Sequence, residues 1–160
     1  MKLKSGPFIF FIFFCSLLLM PVSCTSSESV NTSSEIRWYS YDEGMSLGKD
    51  KKKKVFLNFY ADWCGFCKVM EKNTFKDNSV ISYLNENFIS IRVNSDRDKK
   101  TASAYNVSSL PVTWFLEDNG ERLTSLPGYI TPDKLILILK FIHTESYKKM
   151  KYSEFIEKSM

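Results

Sequence analysis

The two residues best suited to chemistry in this 160-residue sequence are Cys64 and Cys67, which are separated by two residues. A cysteine thiolate attacks disulfides, and a second nearby thiol can displace the first from the resulting mixed disulfide. The sequence contains four cysteines, and the other two, Cys15 and Cys24, lie close to its N-terminus. The spacing therefore indicates thiol–disulfide exchange, with a Cys64–Cys67 disulfide as the redox group and no further cofactor.

Three other uses of this pair are open at this point. A structural disulfide that closes so small a ring would add little stability. A zinc site needs four ligands, and outside the pair the domain offers only His143 as a usual soft ligand, which we expect to be structural. Reduced Cys64 and Cys67 could hold Cu(I) through their thiolates, although the motif has no neighbouring Met or His.

Residues 55–61 and 65–74 are the elements that must position the pair. The first segment is apolar on both faces except for Asn58, a pattern typical of a central strand that is covered on both sides. The second segment predicts a helix that begins directly after Cys64. Because a helix N-terminus stabilises negative charge, a thiol placed there ionises more readily than a free cysteine, whose pKa is about 8.5.

The rest of the chain alternates between strand and helix patterns. Asp118–Asn119–Gly120 predicts a hairpin turn, and Thr131 and Pro132 predict the N-cap and first residue of the last long helix. The other predicted strands are 36–40, 88–93, 111–117 and 121–126, and the other predicted helices are 42–53, 78–87 and 99–105. This order predicts an α/β fold, with a central mixed β-sheet flanked by helices on both faces.

The N-terminal segment indicates export. Lys2 and Lys4 precede an apolar run over residues 8–20, and small residues follow the run up to Cys24. A short basic region followed by about 7–15 apolar residues is typical of a secretory signal, whereas a membrane-spanning helix needs about 20. An uncleaved signal anchor is the alternative interpretation.

Cys24 is a candidate lipidation site. Small residues precede it and polar residues follow it, as in a bacterial lipoprotein signal, but Pro21 stands where that signal usually has Leu. In the other interpretation, Cys24 is the last residue of an ordinarily cleaved signal. A lipid on Cys24 would hold the domain at a membrane surface without spanning the membrane.

The chain is predicted to contain one folded domain with accessory segments. These are a signal peptide over residues 1–24, a flexible tether over 25–34, the domain over 35–146 and a C-terminal helical extension over 147–160. The extension is predicted to form a helix from Ser153, with Phe155 and Ile156 packed inward.

The net charge of +4 gives no support for a nucleic-acid partner, and we expect the lysine run 51–54 to be a solvated face. We expect the protein to be a monomer.

Three motifs resemble the thioredoxin family. The segment 59–68, which reads FYADWCGFCK, is similar to the thioredoxin active site, and Gly65 and Phe66 complete its motif. With residues 71–75 added, it looks most like the C-terminal thioredoxin-like domain of the periplasmic disulfide reductase DsbD and its stand-alone relatives. The second motif, 107–112, matches the family loop that carries a cis proline, and the third is Gly128 after the hairpin. The resemblance covers residues 55–139 and implies a thioredoxin fold.

The resemblance also implies a role for each matching residue. Cys64 would be the exposed nucleophile and Cys67 the buried resolving thiol, with Trp63 shielding the pair. Pro111, preceded by Leu110, would face the two sulfurs and help to bind an extended segment of the substrate. In addition, we expect Phe66 to be exposed and to contact partners.

One position departs from the family pattern. Many thioredoxins have a buried Asp six residues before the nucleophile, where this sequence has Asn58. A carboxylate can accept the proton of the resolving thiol, but an amide cannot.

Glu71 is the candidate replacement for this acid, because it lies four residues after Cys67 on the same helix face and the DsbD-like domain has an acid there. The alternative is that Glu71 is a solvated helix residue. We expect Asn58 itself to be a hydrogen-bonded core residue.

These observations together predict an exported reductase of protein disulfides. It would take electrons from a membrane or soluble thiol donor and pass them to oxidised proteins in the bacterial periplasm or envelope, with a lipid anchor if Cys24 is modified. The alternatives are a disulfide oxidase or isomerase on the same fold, or a non-enzymatic module that handles copper. The absence of an inserted helical domain favours the reductase over the oxidase.

Overall fold

The computed structural model of the protein describes residues 34–159. The predicted signal peptide, Cys24 and residues 25–33 of the predicted tether lie outside this part. None of the helices within residues 34–159 is long and apolar enough to cross a membrane. The elements are β1 (Trp38–Tyr39), α1 (Tyr41–Lys51), β2 (Val55–Tyr60), α2 (Gly65–Asn73), α3 (Asn78–Asn87), β3 (Ile89–Asn94), α4 (Lys99–Ala104), β4 (Val112–Leu116), β5 (Arg122–Pro127), α5 (Pro132–His143), a 3₁₀ turn (Ser146–Lys148) and α6 (Tyr152–Ser159).

The strands form one mixed sheet in the order β1-β3-β2-β4-β5. Strand β3 is parallel to both β1 and β2, whereas β4 is antiparallel to β2 and to β5. Strand β2 is central, and it is buried along almost its whole length. The sequence pattern correctly predicted this central position, because a strand covered on both faces is apolar at consecutive residues.

Side chains of β2 alternate between two hydrophobic clusters, one on each face of the sheet. Phe56 packs with residues of α2, α3 and α5 on one face. Val55, Leu57 and Phe59 pack on the other face, which α1 and α4 cover. This arrangement confirms the predicted α/β fold with helices on both faces, and it places the end of β2 between two packed layers.

The observed bounds lie within two residues of the predicted ones, and β1 shows why they differ. A strand was predicted over residues 36–40, but only Trp38 and Tyr39 pair with β3. The backbone N–H of Arg37 instead donates to Oδ1 of Asn85 in α3, at 2.9 Å. At the start of α5, Thr131 is the N-cap residue, but its side chain makes no capping hydrogen bond.

The prediction that the lysine run is a solvated face is wrong at Lys54. Its side chain is only 11% exposed, and its Nζ binds the carboxylates of Glu117 and Glu145. The hydroxyl of Tyr147 donates to the other oxygen of Glu117 at 2.8 Å. The partners of Lys54 are distant in the sequence, so the run of like charges gave no sign of them. Lys54 therefore links the central sheet to the start of the C-terminal extension.

The C-terminal extension packs on α5 through aromatic rings. The ring of Phe141 lies 5.3 Å from that of Tyr152 and 5.2 Å from that of Phe155. Both Phe155 and Ile156 are partly buried, and α6 begins one residue before the predicted Ser153. The predicted helical extension is therefore present over the residues that the structure describes.

We expect Lys54→Met to lower the free energy of unfolding by about 2 kcal/mol at pH 7, because it removes a cation from two partly buried carboxylates. Lys51→Met is the matched control, since Lys51 is exposed, and it should change stability by about 0.5 kcal/mol or less. Urea unfolding of the two variants and the wild type measures this difference.

The effect of Lys54→Met should also depend on pH. Burial opposes ionisation of Glu117, but the hydrogen bonds from Lys54 and Tyr147 outweigh it and lower the pKa of Glu117 below its ordinary value. A carboxyl group whose pKa is lowered by folding stabilises the protein above its unfolded pKa, and this contribution is lost as the pH falls through the folded pKa. The difference between wild type and Lys54→Met should therefore shrink below about pH 4. An undiminished difference at pH 3 would contradict this account.

Candidate active site

Cys64 and Cys67 lie where the chain passes from β2 into α2, and they form a disulfide. Cys64 is the N-cap residue of α2 and Cys67 lies in the first turn, with their Cα atoms 5.2 Å apart. The backbone N–H of Cys67 donates to Sγ of Cys64 at 3.1 Å. The Cys64 sulfur thus occupies the place that a capping oxygen takes at other helix starts.

This position favours the thiolate of Cys64 once the disulfide is reduced. The free N–H groups and the positive end of the helix dipole stabilise a negative charge at the N-cap. The first turn of α2 contains no acidic residue that would oppose this effect. Of the two thiols, Cys64 is therefore the one whose ionisation the helix assists most directly.

The prediction that Cys64 is exposed is wrong for the disulfide form. Cys64 and Cys67 are each 4% exposed, and they pack in one cluster with Ala61, Tyr60 and Leu110. Leu110 comes from the loop that precedes β4, so the local pattern around the pair could not indicate this cover. The disulfide is therefore largely covered in this form.

The loop beside the disulfide contains a cis peptide bond between Leu110 and Pro111. The carbonyl oxygen of Pro111 accepts a hydrogen bond of 2.7 Å from the backbone N–H of Gly128. Gly128 has a φ of +87°, a conformation that glycine adopts without steric cost. The second and third sequence motifs, which are separated in the chain, are therefore joined directly beside the site.

Two large apolar residues of the motif project into solvent. Trp63 is 71% exposed and Phe66 is 67% exposed, and Val69 on the next turn of α2 is 41% exposed. The exposure of Phe66 is confirmed, whereas the shielding role of Trp63 stays a prediction because most of its surface is open. A Cβ atom added to Gly65 would meet nothing within 4 Å, so packing does not require glycine there.

Asn94 organises the loops next to Trp63. This buried residue ends β3, and its Oδ1 accepts hydrogen bonds from the backbone N–H groups of Asp96 and Arg97 at 3.0 and 3.3 Å. Its Nδ2 donates to Oδ1 of Asp62 at 3.2 Å, and Arg97 binds the other oxygen of Asp62 at 2.8 Å. The indole N–H of Trp63 donates to Asp96 at 2.8 Å.

The motifs and periodicity of the sequence did not indicate this network, although a signal for it exists. Strands β2 and β3 are parallel, with Tyr60 opposite Asn94, so the residues that follow them meet at one edge of the sheet. An Asn that is followed by a polar loop is also typical of side-chain-stabilised turns. These two facts together would have pointed to Asn94.

Asn58 is a satisfied core residue, as predicted. It is 1% exposed, and its Nδ2 donates to the hydroxyl of Thr113 at 3.2 Å. Asn58 and Thr113 are opposite each other in the β2–β4 pairing, so both side chains point to the same face of the sheet. The amide therefore needs no charged partner at this depth.

Glu71 makes an ion pair that neither sequence-based alternative included. Its two carboxylate oxygens accept hydrogen bonds from Nη1 and Nη2 of Arg92 at 3.2 and 3.1 Å. These hydrogen bonds lower the pKa of Glu71 below its ordinary value. Glu71, Arg92 and Cys67 line one cavity of about 240 Å³. Glu71 thus lines the same cavity as Cys67, but it is bound to a cation.

No metal centre is evident in the part of the chain that the structure describes. Residues 34–159 contain no group of three or more His, Cys, Asp or Glu side chains that could hold a metal ion. His143 lies elsewhere, at the end of α5, where its Nδ1 is 3.1 Å from the hydroxyl of Tyr83.

Residues 41–143 match the family model of the thioredoxin-like domain. The chain belongs to the thioredoxin-like family. With a Cys-x-x-Cys disulfide at the start of α2, it has the redox group of the thiol–disulfide oxidoreductases of this family.

Two relatives are thiol:disulfide interchange proteins named DsbD. The chain is 31% identical over 105 residues to the protein from Photorhabdus laumondii, which corresponds to 64% of this chain and 18% of that protein. It is 39% identical over 95 residues to the protein from Actinobacillus pleuropneumoniae, or 56% of this chain and 16% of that protein. The chain therefore spans less than a fifth of the length of these relatives.

The fold is similar to that of a thioredoxin from Thermus thermophilus, whose structure was determined in solution. The TM-score is 0.62, with 24% sequence identity, and the match covers 68% of this chain and 87% of the thioredoxin. At this level of identity the similarity concerns the fold alone.

We expect Asn94→Ala to lower the free energy of unfolding by about 1–2 kcal/mol, because two backbone N–H groups and Asp62 lose their hydrogen-bond partner. Asn73→Ala is the control, since Asn73 is exposed at the end of α2, and it should change stability by less than about 0.5 kcal/mol. Urea unfolding gives both values. Equal effects of the two substitutions would show that Asn94 does not organise these loops.

Proposed function

We propose that this protein is an exported reductase of protein disulfides and that Cys64 and Cys67 are its redox-active pair. The observation that carries the proposal is the Cys64–Cys67 disulfide at the N-cap of α2, within a thioredoxin-like domain. No cofactor beyond the two cysteines is required, because the electrons are held as two thiols.

The reaction is a two-step exchange. The Cys64 thiolate attacks one sulfur of a substrate disulfide, forms a mixed disulfide and releases the other substrate sulfur as a thiolate, which takes up a proton. Cys67 then loses its proton and attacks Sγ of Cys64, so that the Cys64–Cys67 bond forms and the second substrate sulfur leaves as a thiol. Two electrons pass from the pair to the substrate, and a thiol donor restores the reduced pair.

The substrate is proposed to be an extended segment of an oxidised protein. Trp63 and Phe66 present large apolar surfaces to solvent next to the two cysteines in the motif, and Leu110 packs against the cluster that contains the disulfide. These apolar side chains suit a polypeptide that has apolar side chains next to its own disulfide.

Export is proposed from the N-terminal sequence and from the relatives. Residues 1–24 have the pattern of a secretory signal, and the two curated relatives are thiol:disulfide interchange proteins. The protein would act in the bacterial periplasm or envelope, where its donor is a membrane or soluble thiol protein. Cys24 is the proposed site of a lipid anchor.

The pair should behave asymmetrically when each cysteine is replaced. In an insulin-reduction assay with dithiothreitol, Cys64→Ser should abolish the acceleration that the wild-type chain gives, because no nucleophile remains. Cys67→Ser should instead accumulate a mixed disulfide with insulin, visible on a non-reducing gel, because the resolving thiol is missing. Cys15→Ser is the control and should retain the wild-type rate. Unchanged activity of Cys64→Ser would refute the proposed function.

A further inference from the structure

Arg92 lines the same cavity as Cys67 but has no part in the exchange described above. It is opposite Asn58 in the β3–β2 pairing, and its side chain is only 15% exposed. Its guanidinium carbon lies 4.1 Å from the ring centroid of Tyr60 and 5.6 Å from that of Trp38. A cation in this position is held by aromatic faces and is largely removed from solvent.

The hydrogen bonds of Arg92 are incomplete. Nη1 and Nη2 bind the carboxylate of Glu71, whereas Nε is buried and has no hydrogen-bond partner among the described residues. Burying a guanidinium without satisfying all of its donors is unfavourable.

The groups around the cavity show what this charge can act on. Cys67 and Arg92 line the same cavity of about 240 Å³. The other charged or titratable groups that line it are Lys68 and Glu71 from α2, and Tyr60 and Asp62 from the end of β2 and the loop after it. Asn58, which is opposite Arg92 in the sheet, is neutral, and Asp62 is already bound to Arg97.

We propose that Arg92 is a positioning residue of the redox site. It binds Glu71 and so withholds that carboxylate from proton exchange with Cys67, and its own positive charge favours the thiolate of Cys67. The proton of Cys67 then leaves to solvent in the cavity, and the thiolate attacks Sγ of Cys64 as described above. Arg92 thus replaces the missing buried acid: in place of a base that accepts the proton, its positive charge stabilises the Cys67 thiolate.

The lowered pKa of Glu71 supports this division of roles. A carboxylate whose ionised form is stabilised by Arg92 is a weaker base. In this arrangement Glu71 moderates the charge of Arg92 and does not accept the proton of Cys67.

The test measures the ionisation of Cys67 directly. The full-length chain with Cys15→Ser, Cys24→Ser and Cys64→Ser leaves Cys67 as the only thiol, and its rate of labelling by iodoacetamide is followed from pH 5 to pH 10. Arg92→Gln should raise the apparent pKa of Cys67 by about one unit, which lowers the labelling rate about tenfold at pH 7. Arg92→Lys should restore most of the rate, because it keeps the charge.

Two further variants separate this role from a structural one. Arg122→Gln is the matched control, since Arg122 also lies on aromatic rings, 4.2 Å from the centroid of Tyr105, but does not line the cavity. It should leave the profile unchanged. Glu71→Gln, at an exposed residue that should not affect folding, should increase the labelling rate at pH 7, because it removes the charge that neutralises Arg92. An unchanged profile in folded Arg92→Gln would overturn the inference.

The second step of the exchange, in which Cys67 attacks Sγ of Cys64, shows whether Arg92 or Glu71 controls the reactivity of Cys67. In the chain with only Cys15→Ser and Cys24→Ser, reduction of an aromatic disulfide releases a coloured thiolate in each of the two steps. We expect the second release to be about tenfold slower in Arg92→Gln and as fast or faster in Glu71→Gln. A second release that is about tenfold slower in Glu71→Gln would make Glu71 the base and overturn the inference.

This inference rests on the proposed exchange at Cys64 and Cys67, but the two can fail separately. The pH profile of Cys67 labelling needs no substrate, so it can support the role of Arg92 even if insulin is not reduced. Conversely, wild-type insulin reduction with a labelling profile that is independent of Arg92 would leave the proposed function intact and remove the role of Arg92.

Discussion

The hydrogen bond from the Cys67 N–H to Sγ of Cys64 is the interaction on which the site depends. It requires that a buried strand end and a helix begin within a few residues, so that the sulfur occupies the N-cap. The two packed faces of the sheet fix β2, and α2 is anchored on one of them by Met70, which is 1% exposed. The packing of β2 and α2 in the core therefore determines that Cys64 lies at the N-cap of α2.

Two polar networks lie near the turn between β2 and α2, and each contacts a different part of the site. Asn94 ties the loop after β3 to Asp62, next to the nucleophile, and the same loop binds the exposed indole of Trp63. On the resolving side, Arg92 and Glu71 place opposite charges at the cavity that reaches Cys67. The first network organises the loops beside the exposed Trp63, and the second lies at the cavity that Cys67 lines.

The features that the sequence predicted depend on interactions between residues that are close in the chain. The features that it did not predict depend on residues that are distant in the chain. Strand β2, helix α2 and the turn at Gly120 follow from periodicity and from local conformational preference. The packing of Leu110 against the cluster that contains Cys64 and the ion pair of Lys54 with Glu117 depend on residues that are distant in the chain. Local pattern carries no information about such contacts, so the expected exposure was wrong for Cys64 and, within the lysine run, for Lys54.

Glu71 is an intermediate case. Its spacing from Cys67 placed it near the resolving thiol, and the structure puts both residues at one cavity. Its partner Arg92 lies on another element, and that partner changes the carboxylate from a candidate base into half of an ion pair. The family resemblance indicated the position of the residue, but only the neighbouring strand determined its chemical state.

The reduction potential of the Cys64–Cys67 pair tests the proposed reductase most directly. It is measured on the full-length chain with Cys15→Ser and Cys24→Ser, by equilibration with glutathione or dithiothreitol and alkylation of the free thiols. The account predicts a strongly reducing value, near the −270 mV or so of thioredoxin. A value near the −120 mV or so of a strong oxidant would contradict it and make the protein a disulfide oxidase or isomerase on the same fold.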